Sequence, residues 1–300
     1  MWWRRSDGVL VRDLPRNRRS MPYLMRGRNE SAVYLEHDAS LRKTDAFIRA
    51  WNQANPGMRI DVFHVAVWAL RSCFERYPST HRFVVGGRLY ERNGIWFSYA
   101  IKTKLETGAP LIVVKRRFDL DESFAAMILG MHETEAEYRT GKAKRVDQEL
   151  GLLMAFPGFM RRFLMRMVNL GDRLGVLPRS YIENDPMYAS AFLANMASLG
   201  MPAVYHHLYE YGTAGLFGSL GRPTPEPGSP TSGPDRRRVM NVRWTFDERV
   251  EDGLTCWYGT RRFRQVLEDP EGTGAVVESI APDATRPVGQ VMDDSARSSP

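Results

Sequence analysis

Apolar and polar positions alternate over residues 31–36, where Ala32-Val33-Tyr34-Leu35 predicts a strand, and Asp38-Ala39-Ser40 then turns into a helix with apolar positions Ala46, Phe47, Ala50 and Trp51. A second helix is predicted over residues 62–77, where Phe63, Ala66, Val67, Leu70 and Phe74 form one stripe and Pro78 stops it. The period then changes to two. Residues 83–90 and 95–101 flank Gly86-Gly87 and Asn93-Gly94, the strongest short hairpin signals in the chain, and residues 111–114 read as a further strand. Helical spacing returns over an inserted segment at about 120–185. Strands are predicted again at 190–197, 204–208 and around 213–220, and residues 239–246 alternate as the last strand before an apolar-periodic helix that Pro270 ends. Strands and helices mixed in this order predict an α/β fold.

Composition shifts mark the edges. Residues 1–20 are basic and contain Pro, which reads as an irregular N-terminal arm before a domain over 21–271. Residues 222–234 are too rich in Pro and Gly to pack and read as a surface loop between paired strands. After Pro270 both aromatic content and periodicity vanish, which predicts a disordered tail over 272–300. Residues 156–168, Phe-Pro-Gly-Phe-Met-Arg-Arg-Phe-Leu-Met-Arg-Met-Val, are the most unusual run. The favoured reading is a helix whose Met and Phe pack onto its own protein while Arg161, Arg162 and Arg166 stay wet; the other is a basic amphipathic helix making peripheral contact with a membrane or partner.

At 43% hydrophobic and 26% charged residues the chain matches an ordinary globular protein, and its net charge of +7 suits a polyanionic partner. Nucleic acid is not expected, because no zinc-finger, RNP or helix-turn-helix pattern accompanies the charge. Cys73 and Cys256 both lie in apolar-periodic segments, which favours buried, reduced thiols and a cytoplasmic location. The opening Met1-Trp2-Trp3-Arg4-Arg5 has no apolar stretch behind it, and no run reaches the roughly eighteen apolar residues that a spanning helix needs. No Cys or His stands at metal-ligand spacing with another ligand, so no metal is expected.

Candidate chemistry gathers around the turn Asp247-Glu-Arg-Val-Glu-Asp-Gly253 between the last strand and the last helix. With strand, acidic turn, Gly and helix in that order, the chain resembles the catalytic domain of the 2-oxoacid dehydrogenase acyltransferases, whose fold is shared with chloramphenicol acetyltransferase. The likeness is carried by Ser31-Ala-Val-Tyr-Leu-Glu-His-Asp38, Arg76-Tyr-Pro78, Phe83-Val-Val-Gly-Gly-Arg-Leu-Tyr90, Ser198-Leu199-Gly200 and Asp247 to Glu271. It implies a mixed sheet with helices packed on one side and a homotrimer whose active channels lie between subunits. It also implies coenzyme A or acyl-coenzyme A as substrate, a small-molecule or thiol acceptor, and no permanently bound cofactor. With the catalytic region starting near Met21, a stand-alone member without lipoyl or subunit-binding domains is expected.

In that family the motif His-x-x-x-Asp-Gly supplies a general base and a structural anion that usually pairs with an Arg, and an upstream Ser supports the oxyanion. Asp252 and Gly253 match the motif; Glu248 stands in the His position and Ala197 where the Ser is expected. Ser198 is adjacent and takes over the hydroxyl role only if the turn shifts by one residue, since strand neighbours point to opposite faces. His206 and His207 are the other candidates for a base, although on a strand only one of them can face the channel. A Glu carboxylate with a pKa of about 4.3 facing a thiol near 8.5 makes proton transfer uphill by about 6 kcal/mol. Two readings follow: a coenzyme A-dependent acyltransferase with altered catalytic groups, or a non-catalytic scaffold or ligand-binding module that keeps the fold.

Overall fold

A seven-stranded mixed sheet organises the chain, seen in a computed structural model that describes residues 5–102, 111–139, 151, 154–230 and 237–280. Six strands run in the order β2 (Ala32–Ser40), β10 (Arg238–Asp247), β8 (Leu216–Leu220), β7 (Ala191–Asn195), β5 (Ile95–Lys102) and β6 (Leu111–Phe118), and the short β9 (Thr224–Pro225) pairs with β10. The β5–β7 and β7–β8 pairs are parallel and the rest antiparallel. A separate three-stranded sheet is formed by β1 (Gly8–Leu10), β4 (Arg88–Arg92) and β3 (Phe83–Val85), in the order β1-β4-β3. Gly86 and Gly87, both at positive φ, make the β3–β4 turn that the Gly-Gly pair predicts.

One face of the large sheet is covered by helices. The helices α2 (Arg42–Ala54), α3 (Val62–Arg76), α4 (Phe124–Glu137) and α7 (Gly253–Glu268) bury Phe47, Trp51, Leu70, Met127 and Phe263. Their partners include Tyr99 of β5, Leu193 of β7 and Trp244 of β10. Asp61 caps α3, its carboxylate accepting from the Phe63 and His64 amides. On the opposite face Phe192, Phe217 and Leu208 form a smaller cluster, and there the cover is the irregular segment 201–215 rather than a helix.

Several local readings change. The strand expected at 204–208 is absent: Val204 N donates to Ser219 Oγ at 3.1 Å and Leu208 N to Asn29 Oδ1 at 3.1 Å, so side chains take the bonds a neighbouring strand would supply. The strand expected to reach residue 197 stops at Asn195, and residues 196–199 form one turn of 3-10 helix. The basic arm is not wholly irregular, since it holds β1 and most of α1 (Arg16–Leu24). Of the tail, Ala275 is buried and Asn55 bonds both Glu278 O (2.9 Å) and Ile280 N (2.7 Å); residues 281–300 lie outside the described residues.

The segment expected from the sequence to be inserted holds α5 (Gly158–Leu174) and α6 (Arg179–Asn184) after α4. The favoured packing of α5 is overturned. Its only buried residue is Asp172, which pairs with Arg5 at 2.8 Å, whereas Phe159, Phe163, Met167, Leu170 and Leu174 are exposed. At helical spacing these five share a face opposite Asp172, so the ion pair that seats the helix turns its apolar stripe outward.

Candidate functional site

The acidic turn is held from below by a buried ion pair. Asp247, the last residue of β10, accepts from Arg249 Nε and Nη2 at 2.8 and 2.7 Å, from the Arg249 amide at 3.1 Å and from Ser31 Oγ at 2.9 Å. Arg249 Nη1 in turn donates to Met25 O and Arg26 O at 3.3 and 2.9 Å. Both charges are desolvated and both are satisfied, the condition under which a buried pair is tolerated. Glu248 follows, half-buried; its amide donates to Ser31 O at 2.9 Å and its carbonyl accepts from Arg18 Nη2 at 3.1 Å. The main chain at Glu248 is therefore fixed on both sides.

Asp252 has a different environment. It is exposed and caps α7, Oδ1 accepting from the Thr255 amide at 2.8 Å, and that bond holds its carboxyl below the ordinary carboxylate range. The buried anion of this turn is Asp247. Nearby, Cys256 is half-buried and free, and burial followed by the adjacent Glu251 carboxylate pushes its thiol up to about 12. Cys73 is buried and free, its Sγ donating to Ala69 O and Gly259 O.

A second loop is stitched to the same corner. Buried Arg28 donates to Tyr209 O (3.0 Å), Glu210 O (2.8 Å) and Gly212 O (2.6 Å), and the Glu210 carboxylate accepts from the amides of Arg28 and Asn29. Gly212 has φ +79° and would place a Cβ 2.3 Å from Met187 O, so only glycine fits this bend. These bonds fix the course of the segment that carries the two histidines. His206 is half-buried with its ring stacked on Phe217 at 4.0 Å and on His207 at 4.4 Å. Its Nδ1 lies 2.7 Å from His207 O, and a carbonyl only accepts, so Nδ1 carries the proton and Nε2 is left with the lone pair. Burial lowers its pKa, which favours this neutral form. His207, exposed, makes a longer contact of the same kind to Leu208 O at 3.2 Å.

Ser198 lies elsewhere. It is exposed, and its Oγ donates to Asn195 O at 2.7 Å and its amide to Asn195 Oδ1 at 3.2 Å. Asn195 pairs with Leu220 and Leu220 with Val242, while Phe246 pairs with Leu216, so Ala197 and Ser198 leave the sheet at one end and Glu248 at the other. At about 3.3 Å per residue, the strand length between those rows alone exceeds roughly 13 Å. A single chain brings Glu248 and Ser198 into no common site. His206 sits between the two ends, over Phe217, whose pairing partner on β10 is Thr245. Sequence reasoning passed over Arg18, Arg28, Ser31, Asp247 and Arg249 as a set. The available signal was an Asp and an Arg two residues apart in the acidic turn, beside an Arg-rich lead-in.

No family model and no curated protein sequence matches the chain. Solved structures do match. A probable dihydrolipoamide acetyltransferase from Listeria monocytogenes aligns over 90% of this chain and 99% of its own, with TM-score 0.53 and 13% identity. The catalytic core of a 2-oxoacid dehydrogenase multienzyme complex from Thermoplasma acidophilum gives TM-score 0.53 at 12% identity, covering 87% of this chain and 99% of that one. The fold is that of a 2-oxoacid dehydrogenase acyltransferase core. A third such core, the dihydrolipoamide acetyltransferase of Azotobacter vinelandii, was studied for the roles of a serine, a histidine and an asparagine in its catalytic mechanism; it has TM-score 0.54 and 13% identity, with 87% and 93% coverage.

Proposed function

We propose that the protein transfers an acyl group between coenzyme A and an acceptor, at a site whose base comes from the Glu248 turn or from the Nε2 of His206 or His207. The observation that carries this reading is the acyltransferase-core fold combined with a main chain at Glu248 pinned by Ser31 and Arg18. In the transfer, the base takes the acceptor's proton as its heteroatom attacks the thioester carbonyl, and the tetrahedral intermediate then expels the thiolate of coenzyme A, which recovers a proton. Ser198 and Glu248 stand at opposite ends of the sheet, which supports a homotrimer in which one subunit's Ser198 end meets another's Glu248 turn. No resident cofactor enters the scheme, and the proposed compartment is the cytoplasm; among the described residues no helix is long and apolar enough to cross a membrane.

Release of free thiol from acetyl-coenzyme A and longer acyl donors, screened across acceptors, tests the reading. Loss of turnover by at least tenfold in Glu248→Gln or in the double change His206→Ala/His207→Ala identifies the base. Turnover intact in both removes all three candidates. A donor that raises the melting temperature and is never consumed favours the scaffold reading instead. The outward stripe of α5 supports a second, compatible role, peripheral contact with an anionic membrane through residues 156–168, since Arg162 and Arg166 are exposed on the same helix.

A further inference from the structure

Where the two sheets meet, a cavity of about 400 Å³ lies between the end of β4, the start of β5, the end of β6 and α6. Two of the cations that line it, Arg92 and Lys115, are buried, and among the described residues neither pairs with a carboxylate. Arg92 gives Nη2 to Thr213 O and Oγ1, both at 3.0 Å, and its Nε has no partner. Lys115 Nζ donates to Ile182 O and Asp185 O at 2.6 and 3.0 Å, which uses two of the three N–H bonds an ammonium offers. Tyr188 lines the same cavity at 1% exposure, and its hydroxyl also lacks a partner. The other charges are already matched. Asp7 accepts from Arg5 with both carboxylate oxygens, at 2.9 and 3.0 Å, Glu183 accepts from Arg179 at 2.7 Å, and Arg117 pairs with Asp119 at 3.2 Å.

A buried cation without a counterion is costly, and so is a buried donor left without an acceptor. Burial, followed by Arg92, lowers Lys115 to about 7, and burial lowers Arg92 to about 10, so the carboxylates nearby do not offset the loss of water. Unused donors from three separate segments that line one cavity favour an acceptor carrying negative charge. Asp7 and Glu183 on the same lining disfavour a dianion, and Trp96 offers an apolar face beside the cations, the Lys115 ammonium lying 5.0 Å from the centre of its ring. We propose that the cavity binds a small organic carboxylate, its oxygens held by Arg92, Lys115 and the Tyr188 hydroxyl and its body against Trp96. Neither Glu248 nor His206 nor His207 lines the cavity, so a carboxylate site there is independent of acyl transfer.

The test is NMR titration of the full chain with acetate and benzoate, with their uncharged amides and with inorganic phosphate, following the Trp96 indole N–H resonance, which Trp96→Phe assigns. The expected result is a saturable shift with at least one carboxylate, affinity at least tenfold weaker for its amide and for phosphate, and at least a tenfold loss of carboxylate affinity in Lys115→Met and in Arg92→Gln. Arg162→Gln/Arg166→Gln, which removes two exposed charges from α5, should bind the carboxylate as the unaltered chain does. The unaltered chain decides alone where a variant fails to fold: a Trp96 resonance that moves with neither carboxylate, or moves equally with the amides, overturns the site. So does phosphate bound as tightly as the carboxylate, affinity unchanged in a folded Lys115→Met, or a loss as large in the α5 variant.

Discussion

The Arg249 guanidinium grips both carboxylate oxygens of Asp247, at 2.8 and 2.7 Å, with the two side chains almost wholly buried. Removing one partner strands the other charge without water, at a cost of about 3–5 kcal/mol. Arg249→Ala and Asp247→Ala are therefore each expected to lower the urea midpoint sharply, with the double variant losing much less than the sum. Additive losses in the double-variant cycle show that the pair is not coupled.

Asp252, expected from the sequence to be a structural anion, behaves as a helix cap. Asp252→Ala should cost about 1 kcal/mol, whereas Asp252→Ser, which keeps an acceptor for the Thr255 amide, should cost a few tenths. Thermal melts of the two variants decide it. Equal destabilisation by Ser and Ala means that the carboxylate charge, not the cap, is what the fold uses.

The elements that were legible are those whose pattern is enforced by burial. Trp244, Val242 and Met240 face the helices at every second residue of β10, and Phe47, Trp51, Leu70 and Phe74 keep helical spacing, so the core imprints its period on the sequence. The segment 204–208 has the composition of a strand because Ala203 and Leu208 are buried, but its amides are met by Ser219 and Asn29, partners that no local pattern announces. β1 is three residues long, too short to show a period, and its existence depends on Leu10 pairing with Tyr90. For α5 the stripe itself was plain; which way it faces is set by the two long-range bonds that Arg5 makes to the carboxylate and the carbonyl of Asp172. The acidic turn was found because it is contiguous, while Ser31 and Arg18 join it only in three dimensions.

Buried bases should shape the stability of the protein across pH. Burial, reinforced by Arg264, lowers His37 to about 4, and burial with Arg92 lowers His81 to about 3. The unfolded chain therefore holds more protons than the folded one below the ordinary value near 6.5, and stability falls as the pH drops from there towards 4 and 3. Lys115 donates to Ile182 O and Asp185 O at 2.6 and 3.0 Å, and burial, followed by Arg92, lowers it to about 7. The same inequality then makes stability rise with pH from about 7 until near 9, where the unfolded chain's thiols lose the protons that buried Cys73 and Cys256 keep and the slope turns down. Urea unfolding measured from pH 4 to pH 10 should show both slopes; Lys115→Met should remove the alkaline rise and His37→Phe should flatten part of the acid fall. An alkaline rise that survives Lys115→Met assigns it to another group.

The outward face of α5 makes the last prediction. Phe159 is 70% exposed and Phe163 55% exposed, and Arg162, Arg166 and Arg173 are exposed on the same helix. A surface of that kind gains on a bilayer from apolar insertion and from attraction to anionic headgroups, and the second contribution is screened by salt. The protein should co-sediment with anionic vesicles at low salt, less with zwitterionic ones, and less again when salt is raised. Phe159→Ser/Phe163→Ser should weaken sedimentation without altering the fold, since neither side chain is buried, and Arg162→Gln/Arg166→Gln should weaken it on anionic vesicles alone. If the unaltered protein stays in the supernatant at low salt, the stripe does not serve a membrane, and analytical ultracentrifugation of the Phe159→Ser/Phe163→Ser variant then asks whether it serves contacts between copies of the chain.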